Sequence, residues 1–174
     1  MKKVYIMGSG GTGKTTLSKL LMQKYKCPYL ELDDIYWDNS KQNKAYNVKT
    51  DKQVRDKILK DFLEKNQTWI IDGVYYKEWV YPIFKSVDMV LILKPWFILS
   101  QLRCIKRDII KSFNGERVGG IVALYHLLKW NIKYRYMILP VVERYLNEKK
   151  IPYQILHTKE IEQLIADLRS QKEF

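Results

Sequence analysis

The sequence predicts a single α/β domain built on a parallel sheet, and three observations support this fold class. Short apolar segments of strand length alternate with segments whose apolar residues recur at helical spacing. A glycine-rich stretch, "GSGGTGKTT" from Gly8 to Thr16, comes directly after the first strand segment. No internal repeat, low-complexity segment or linker interrupts the 174 residues, so we expect one domain over residues 1–174.

The first three predicted strands are short and rich in β-branched and aromatic residues. "KKVYIM" is a buried strand that ends at Gly8, and the helix that begins at Lys14 carries leucines at i, i+3 and i+4. "PYLEL" is the second strand and "TWII" is the third. Each of these two strands ends in acidic residues, which places carboxylates at the same edge of the predicted sheet.

A polar flap and a helix are predicted between the second and third strands. Residues 38–50 are aperiodic and rich in Asn and Lys, which is typical of a loop. Thr50 and Gln53 have the spacing of a capping box for a helix with apolar residues at Val54, Ile58 and Phe62. We expect this region, around residues 36–66, to border a substrate.

The second half contains the fourth strand, "MVLIL", and the fifth, "PYQIL". The helix after the fourth strand has one apolar face, made of Ile98, Leu102, Ile105 and Ile109. The glycines of "FNGERVGG" interrupt it, and a second long helical stretch follows to about Tyr145. A final helix closes the chain.

The positive charge of the chain is concentrated in its second half. The formal net charge is +12, and between Lys94 and Lys150 there are twelve Lys and Arg against four Asp and Glu. This favours a polyanionic partner. The apolar runs are too short to span a bilayer, so we expect no membrane partner. Cys27 and Cys104 have no disulfide or metal spacing and no signal segment is recognised, which predicts a cytoplasmic location.

The stretch from Gly8 fits G-x-x-x-x-G-K-[ST], the Walker A motif. Glycines let successive N–H groups turn inward around an anion, and the positive end of the following helix adds to the attraction. Lys14 would reach the β- and γ-phosphates of a nucleotide, and the Thr15 hydroxyl would bind Mg²⁺. We therefore expect ATP and Mg²⁺ as cofactors. The predicted binding residues are Gly8, Ser9, Gly10, Gly11, Thr12, Gly13, Lys14, Thr15 and Thr16.

A Walker A motif alone does not choose between a GTPase, a motor ATPase and a kinase. A GTPase needs D-x-x-G and N-K-x-D, but Asp72 is followed at once by Gly73, and "NKAY" from Asn43 to Tyr46 lacks the aspartate. Motor and helicase ATPases are normally larger than this chain. A compact kinase for small molecules is the class that is left.

Four segments appear in the order and spacing of the adenylate-kinase-like small kinases: "GSGGTGKTTLSKLL", "LELDDIYW", "WIIDGVYY" and "MVLILKPWFILSQLRCIKR". More narrowly, their combination resembles the topology modulation proteins (FlaR-like). The resemblance extends to about Lys111, and more weakly to "LLKWNIKYR". It implies a three-layer P-loop NTPase fold with a sheet of order 2-3-1-4-5, an ATP site and a helical lid around residues 107–135. It does not identify the phosphoryl acceptor.

Two acidic positions at strand ends are candidate site residues. Asp33 lies at the sheet edge where parallel α/β folds bind ligands, and it would accept the acceptor's hydroxyl proton or orient water on Mg²⁺. Asp34 is the weaker candidate because the resemblance aligns on Asp33. The resemblance places Asp72 near Mg²⁺, so the expected metal ligands are Thr15, Asp33 and Asp72. The alternatives are helix-capping or solvated loop acids and, for Asp72-Gly73, a plain turn.

The chain departs from the family after Asp72-Gly73. The family continues with Pro-Arg, whereas "VYYK" follows here, so the acceptor-binding arginine is missing. Lys77 is a partial substitute, because a lysine does not reproduce a bidentate guanidinium. An ordinary nucleoside monophosphate acceptor is therefore in question, and a pseudo-enzyme that binds nucleotide without transfer is one alternative.

A basic stripe follows the fourth strand, made of Arg103, Lys106, Arg107 and Lys111. Lid arginines of related kinases close over the transferring phosphoryl group, whose charge a guanidinium stabilises. Arg103 and Arg107 match this element, and with Lys14 and Asp33 they are the predicted catalytic residues. Arg117 is a candidate for the lid tip. The alternative is a solvated helix face, which we prefer for the two lysines.

Two functions of different classes follow from these patterns. The first is an ATP-dependent phosphotransferase for a small-molecule acceptor, a nucleotide or nucleoside, with Tyr36 and Trp37 either stacking on its ring or packing at the flap hinge. The second is an ATP-binding regulator associated with nucleic acid, which the basic segment motivates. No helix-turn-helix or other reader motif supports the second function. The sequence does not indicate an oligomeric state.

Overall fold

The computed structural model describes residues 2–38, 48–115 and 120–170. A five-stranded, all-parallel sheet in the order β2-β3-β1-β4-β5 forms its centre, as predicted. The strands are β1 (Lys3–Met7), β2 (Tyr29–Glu31), β3 (Trp69–Gly73), β4 (Met89–Leu93) and β5 (Tyr153–Leu156). The carboxyl ends of β2, β3, β1 and β4 therefore lie side by side at one edge of the sheet.

Helices follow or connect all of these strands. They are α1 (Lys14–Tyr25), α2 (Leu32–Tyr36), α3 (Lys52–Lys65), α4 (Tyr81–Ser86), α5 (Phe97–Phe113), α6 (Gly120–Lys133), α7 (Leu139–Glu148) and α8 (Thr158–Ser170). A 3₁₀ turn at Glu78–Val80 precedes α4, and a π-helical segment at Tyr134–Ile138 joins α6 to α7. Among the described residues, no helix is both long and apolar enough to cross a membrane.

The two faces of the sheet support two separate cores, because side chains of a strand alternate between faces. Tyr5 and Met7 of β1 lie in the core that α2, α3, α4 and α7 cover. Val4 and Ile6 lie in the opposite core, beneath α1 and α8. The result is the predicted three-layer arrangement of helices, sheet and helices, with the strand ends left open for a site.

Two details of the predicted α3 are wrong. Asp51, and not Thr50, caps the helix, since its side chain accepts hydrogen bonds from the N–H groups of Gln53 and Val54. The predicted apolar residues Val54 and Ile58 are exposed, and Leu59 is the buried residue of this helix. The buried side of α3 therefore differs from the predicted one, since Leu59 packs into the core that contains Tyr5 and Met7.

The predicted apolar face of α5 does not pack on the core. Ile98, Leu102 and Ile109 are 69%, 56% and 48% exposed, whereas Ser100 and Cys104 are buried. A Cβ on Gly11 would overlap the carbonyl oxygen of Ser100, so α5 lies against the glycine-rich loop. Small residues are buried in this helix because the loop leaves no room for large ones.

Parts of the predicted flap and lid lie outside the described residues. These parts are residues 39–47, which include "NKAY", and residues 116–119, which include Arg117. The assignment of a flap around 36–66 and a lid around 107–135 therefore stays a prediction. Within the described part of the predicted lid, α5 and α6 contribute no buried residue to either of the two cores, whereas Tyr134 of the π-helical segment is buried in the core that contains Tyr5.

Candidate active site

The glycine-rich loop connects β1 to α1 and forms the bottom of the candidate site. Gly11 has a φ of +75° and Gly13 a φ of +93°, backbone conformations that residues with a side chain rarely adopt. Gly13 is also the N-cap of α1 and supplies no side chain to that end. The helix therefore begins with its N–H groups free for a ligand.

Six consecutive N–H groups in this loop, those of Gly11 to Thr16, have no hydrogen-bond partner among the described residues. In contrast, the N–H of Gly10 is bonded to Asn131, and the Thr12 hydroxyl donates to the carbonyl oxygen of Ser9 at 2.9 Å. A row of unpaired N–H groups at the positive end of a helix is an anion-binding arrangement. Lys14 lies at the first position of that helix, so its ammonium adds to this arrangement.

Asp72 lies next to this loop, at the end of β3. It pairs with Ile6 of β1 in the sheet register, and it is fully buried. Its Oδ2 accepts a hydrogen bond from the Tyr29 hydroxyl at 3.1 Å. Its Oδ1 makes no hydrogen bond of ordinary length among the described residues, although the Ser18 hydroxyl lies close to this carboxylate. Burial raises the pKa of Asp72 above its usual range, and the nearby Lys14 ammonium opposes that rise.

These residues fit the chemistry of Mg²⁺. Within the described ranges, no cluster of three or more His, Cys, Asp or Glu residues forms an all-protein metal site. Mg²⁺ does not need one, since it keeps several waters and takes one or two carboxylates together with phosphate oxygens. The unpartnered Oδ1 of Asp72 and the hydroxyl of Thr15, beside the loop, are suitable ligands.

Glu31 is an acidic residue that the sequence analysis missed. It ends β2, and the Tyr29 hydroxyl lies 3.3 Å from its Oε2. Burial and then the carboxylate of Asp72 raise the pKa of Glu31, and Lys14 again opposes the rise. The run "LELDD" carries the signal, because its first acid ends the strand that its last two acids follow.

Asp33 is placed by α2, directly after β2. The Tyr75 hydroxyl donates to its Oδ1 at 2.7 Å, and the Tyr5 hydroxyl donates to the carbonyl oxygen of Tyr75 at 2.7 Å. Among the described residues, Oδ2 of Asp33 has no recorded hydrogen bond, so it is available to a substrate. Asp34 is exposed.

An aromatic cluster of Tyr36, Tyr75 and Trp79 lies beside Asp33. The ring centres of Tyr36 and Tyr75 are 4.6 Å apart, and those of Tyr75 and Trp79 are 5.0 Å apart. Tyr36 therefore packs against neighbouring aromatic rings while remaining only half-buried. The ring centre of Trp37 lies 4.9 Å from that of Tyr36, in an edge-to-face arrangement.

Arg55 on α3 covers this aromatic cluster and was also missed by the sequence analysis. Its guanidinium carbon lies 4.4 Å from the ring centre of Trp79 and 5.6 Å from that of Tyr36. The side chain is 11% exposed and bonds to Asp56 at 2.7 Å. No local motif marks Arg55, because its environment is made by residues distant in sequence.

A cavity of about 700 Å³ opens next to Arg55 and Trp79. Lys52 and Lys77 also line it, and so do two acids, Glu78 and the Asp56 that pairs with Arg55. The role of Lys77 as a substitute anion ligand stays a prediction. A larger cavity of about 810 Å³ lies between α1 and α8, on the other face of the sheet, and includes none of the predicted site residues.

The structure does not bring the predicted lid arginines onto the loop. Arg103 forms an ion pair with Glu162 of α8 at 3.3 Å, and Arg107 is exposed. A third arginine, Arg135, donates to the carbonyl oxygen of Pro95 at 2.7 Å, just after β4. Arg135 therefore lies near the carboxyl edge of the sheet, and the catalytic role of Arg103 and Arg107 stays a prediction.

The sheet order and the glycine-rich loop define the class of fold: the chain has the three-layer α/β fold of P-loop proteins, and solved structures with the same fold are kinases. A shikimate kinase from Bacteroides thetaiotaomicron has a TM-score of 0.58 at 14% identity, covering 99% of both chains. A sugar kinase from Janibacter sp. HTCC2649 also has a TM-score of 0.58, at 17% identity, covering 96% of this chain and 91% of that one. A gluconokinase from Sinorhizobium meliloti 1021 has 0.53 at 12% identity, covering 99% and 94%.

In sequence, an adenylate kinase from Mesomycoplasma hyopneumoniae (strain 7448) is 27% identical over 85 residues. The match spans 41% of this chain and 40% of the adenylate kinase, so less than half of that relative is represented. No protein-family model matches the chain. These comparisons agree with the kinase resemblance, and they do not confirm the narrower one to topology modulation proteins.

Proposed function

We propose that this protein is an ATP-dependent kinase that transfers the γ-phosphoryl group to the hydroxyl of a small molecule. The row of unpaired N–H groups from Gly11 to Thr16, beside Lys14 and the buried Asp72, is the observation that carries the proposal. It offers backbone donors to phosphate oxygens and a carboxylate to the accompanying cation. The kinase fold of the solved neighbours agrees with it.

In this proposal each residue of the loop has one task. The N–H groups bind the β- and γ-phosphates, and the Lys14 ammonium stabilises the negative charge on the γ-phosphoryl group during its transfer. Thr15 and Asp72 hold Mg²⁺, which when bound neutralises charge on the phosphates. Asp33 either accepts the acceptor's proton or orients a water on the metal, and its hydrogen bond from Tyr75 fixes the carboxylate for that work.

We infer that the acceptor binds between Asp33 and the cavity beside Arg55. The free Oδ2 of Asp33 suits a hydroxyl, and the aromatic cluster offers a flat surface to a ring. The cavity has three cations, Lys52, Arg55 and Lys77, against two acids, Asp56 and Glu78, and this excess of positive charge favours an acceptor that also carries an anionic group. Nucleotides and acidic sugar derivatives meet all three conditions. The nucleic-acid alternative has no support from the comparisons.

The test is an ATP-consumption screen over nucleosides, nucleotides and acidic sugar derivatives. We expect at least one acceptor to give turnover, and we expect Lys14→Ala to lower kcat/KM by about 100-fold or more because it removes a charge from the transition state. Lys19→Ala, an exposed lysine on the same helix, is the matched control and should behave as the wild type. An active Lys14→Ala variant would end the proposal.

A further inference from the structure

The buried side chain of Asn131 connects α6 to the glycine-rich loop by hydrogen bonds. Its Oδ1 accepts a hydrogen bond from the N–H of Gly10 at 3.0 Å, and its Nδ2 donates to the carbonyl oxygen of Gly10 at 3.3 Å. Nδ2 also donates to Oε1 of Gln101 on α5, at 2.7 Å. Asn131 is fully buried, so water does not compete for these bonds.

These bonds set the direction of two consecutive peptide groups. In a trans peptide the C=O and the following N–H point in opposite directions. The carbonyl of Gly10 is held toward α6, so the N–H of Gly11 points away from it. The N–H of Gly10 is likewise held toward α6, so the carbonyl of Ser9 points away and accepts the bond from Thr12.

The N–H of Gly11 is the first of the six unpaired donors in the loop. Gly11 has a positive φ, and glycine backbones rotate easily, so the loop residues alone do not fix this direction. Gln101 in turn orients the Asn131 amide, since its Nε2 donates to the carbonyl oxygen of Leu128 at 3.1 Å and leaves its Oε1 for Asn131. The direction of the first donor thus depends on α5 and α6.

We propose that Asn131 is a positioning residue for nucleotide binding. By holding the Gly10 peptide against α6, it turns the N–H of Gly11 toward the phosphates before the ligand arrives. A donor that is already oriented costs no reorganisation on binding, so affinity rises. This inference rests on the proposed function, because it concerns the same loop and the same triphosphate.

The chain offers a matched control for a merely structural role. A Cβ on Gly10 would lie 3.1 Å from Cδ1 of Leu127 and 3.2 Å from Oδ1 of Asn131, so both side chains pack on this glycine. Leu127 makes an apolar contact only, whereas Asn131 orients the peptide. Leu127→Ala loosens the packing of α6, and Asn131→Ala removes the orienting bonds.

The experiment is calorimetric titration of the full chain with Mg²⁺–ATP and with inorganic tripolyphosphate. We expect Asn131→Ala to weaken both ligands about tenfold, which corresponds to about 1.4 kcal/mol. Gln101→Leu should weaken them about threefold, since it only loosens the amide's orientation. Leu127→Ala should stay within about twofold of the wild type. Circular dichroism checks that each variant is folded. If Asn131→Ala does not fold, the affinity of the Gln101→Leu variant tests the proposal instead.

The outcomes separate this inference from the proposed function. If the wild type binds neither ligand, the proposed function fails and the inference falls with it. If the wild type binds and the Asn131 and Gln101 variants bind equally well, only the inference is overturned. Equal losses in the Asn131 and Leu127 variants would also overturn it, because packing alone would then explain the effect. A loss confined to ATP would place the defect at the base and contradict the role assigned to Gly11.

Discussion

The glycine-rich loop and the proposed acceptor side of this protein are built in different ways. The loop is one continuous stretch, Gly8 to Thr16, and it presents backbone N–H groups. The acceptor side is assembled from side chains of α2, α3 and the segment after β3, with Asp33, Arg55 and Tyr75 in contact through the aromatic cluster. The loop combines glycines of positive φ with a tertiary contact from Asn131 to Gly10, whereas the surroundings of Asp33 and Arg55 come almost entirely from tertiary contacts.

The largest effect that we expect from this difference is on the loop itself. Gly11→Ala would place a Cβ against the carbonyl oxygen of Ser100, at a φ of +75°, whereas Gly13→Ala meets no atom within 4 Å. Both substitutions carry the cost of a left-handed residue, about 1–2 kcal/mol. Only Gly11→Ala adds overlap with α5, about 1–3 kcal/mol more.

Chemical denaturation of the two ligand-free variants measures this prediction. The free energy of unfolding of Gly11→Ala should be lower than that of Gly13→Ala by the cost of the overlap, about 1–3 kcal/mol. Equal free energies of unfolding for the two variants would contradict the close approach of α5 to the loop at Gly11.

On the acceptor side, Asp33→Asn should lower kcat by about 100-fold or more with a hydroxyl acceptor, because the amide cannot accept the proton. The affinity for ATP should change little, since the loop is untouched. The exposed neighbour Asp34→Asn is the matched control and should keep nearly full activity. Steady-state kinetics with the acceptor found in the screen would reject a base role for Asp33 if the two variants were equally active.

A smaller effect is expected from Arg55→Lys. The lysine keeps the charge but loses the planar group that stacks on Trp79, so the KM for the acceptor should rise about tenfold while the KM for ATP is unchanged. Arg144→Lys, at an exposed position of α7, is the control. An equal rise in both KM values would mean that Arg55 supports the fold as a whole rather than the acceptor cavity.

The sequence predicted the sheet order and the loop because these features are local or shared by the kinase resemblance. The Walker A residues must be glycines for backbone reasons, and that requirement is visible in the letters. The cap of α3 was assigned to Thr50 instead of Asp51, since both residue types cap helices and only the structure shows which one bonds. The rotated face of α5 was not predictable, because it depends on how closely the helix approaches Gly11.

Asn131 and Arg55 could not be predicted from the sequence for a different reason. Asn131 contacts Gly10 across 121 positions of the chain, and Arg55 obtains its surroundings from Tyr36 and Trp79. Neither belongs to a motif, since an asparagine in a helix or an arginine in a flap is ordinary by itself. Such residues become visible only when the fold brings the distant partner to them.

The central claim is that the N–H groups of Gly11 to Thr16 bind the phosphates, and amide NMR of the labelled protein tests it most directly. On titration with Mg²⁺–ATP, the resonances of Gly11 to Thr16 should shift strongly, as they gain hydrogen bonds that they lack in the free protein. The N–H of Gly10, already bonded to Asn131, should move far less. Unshifted resonances from Gly11 to Thr16 at saturating nucleotide would contradict the claim.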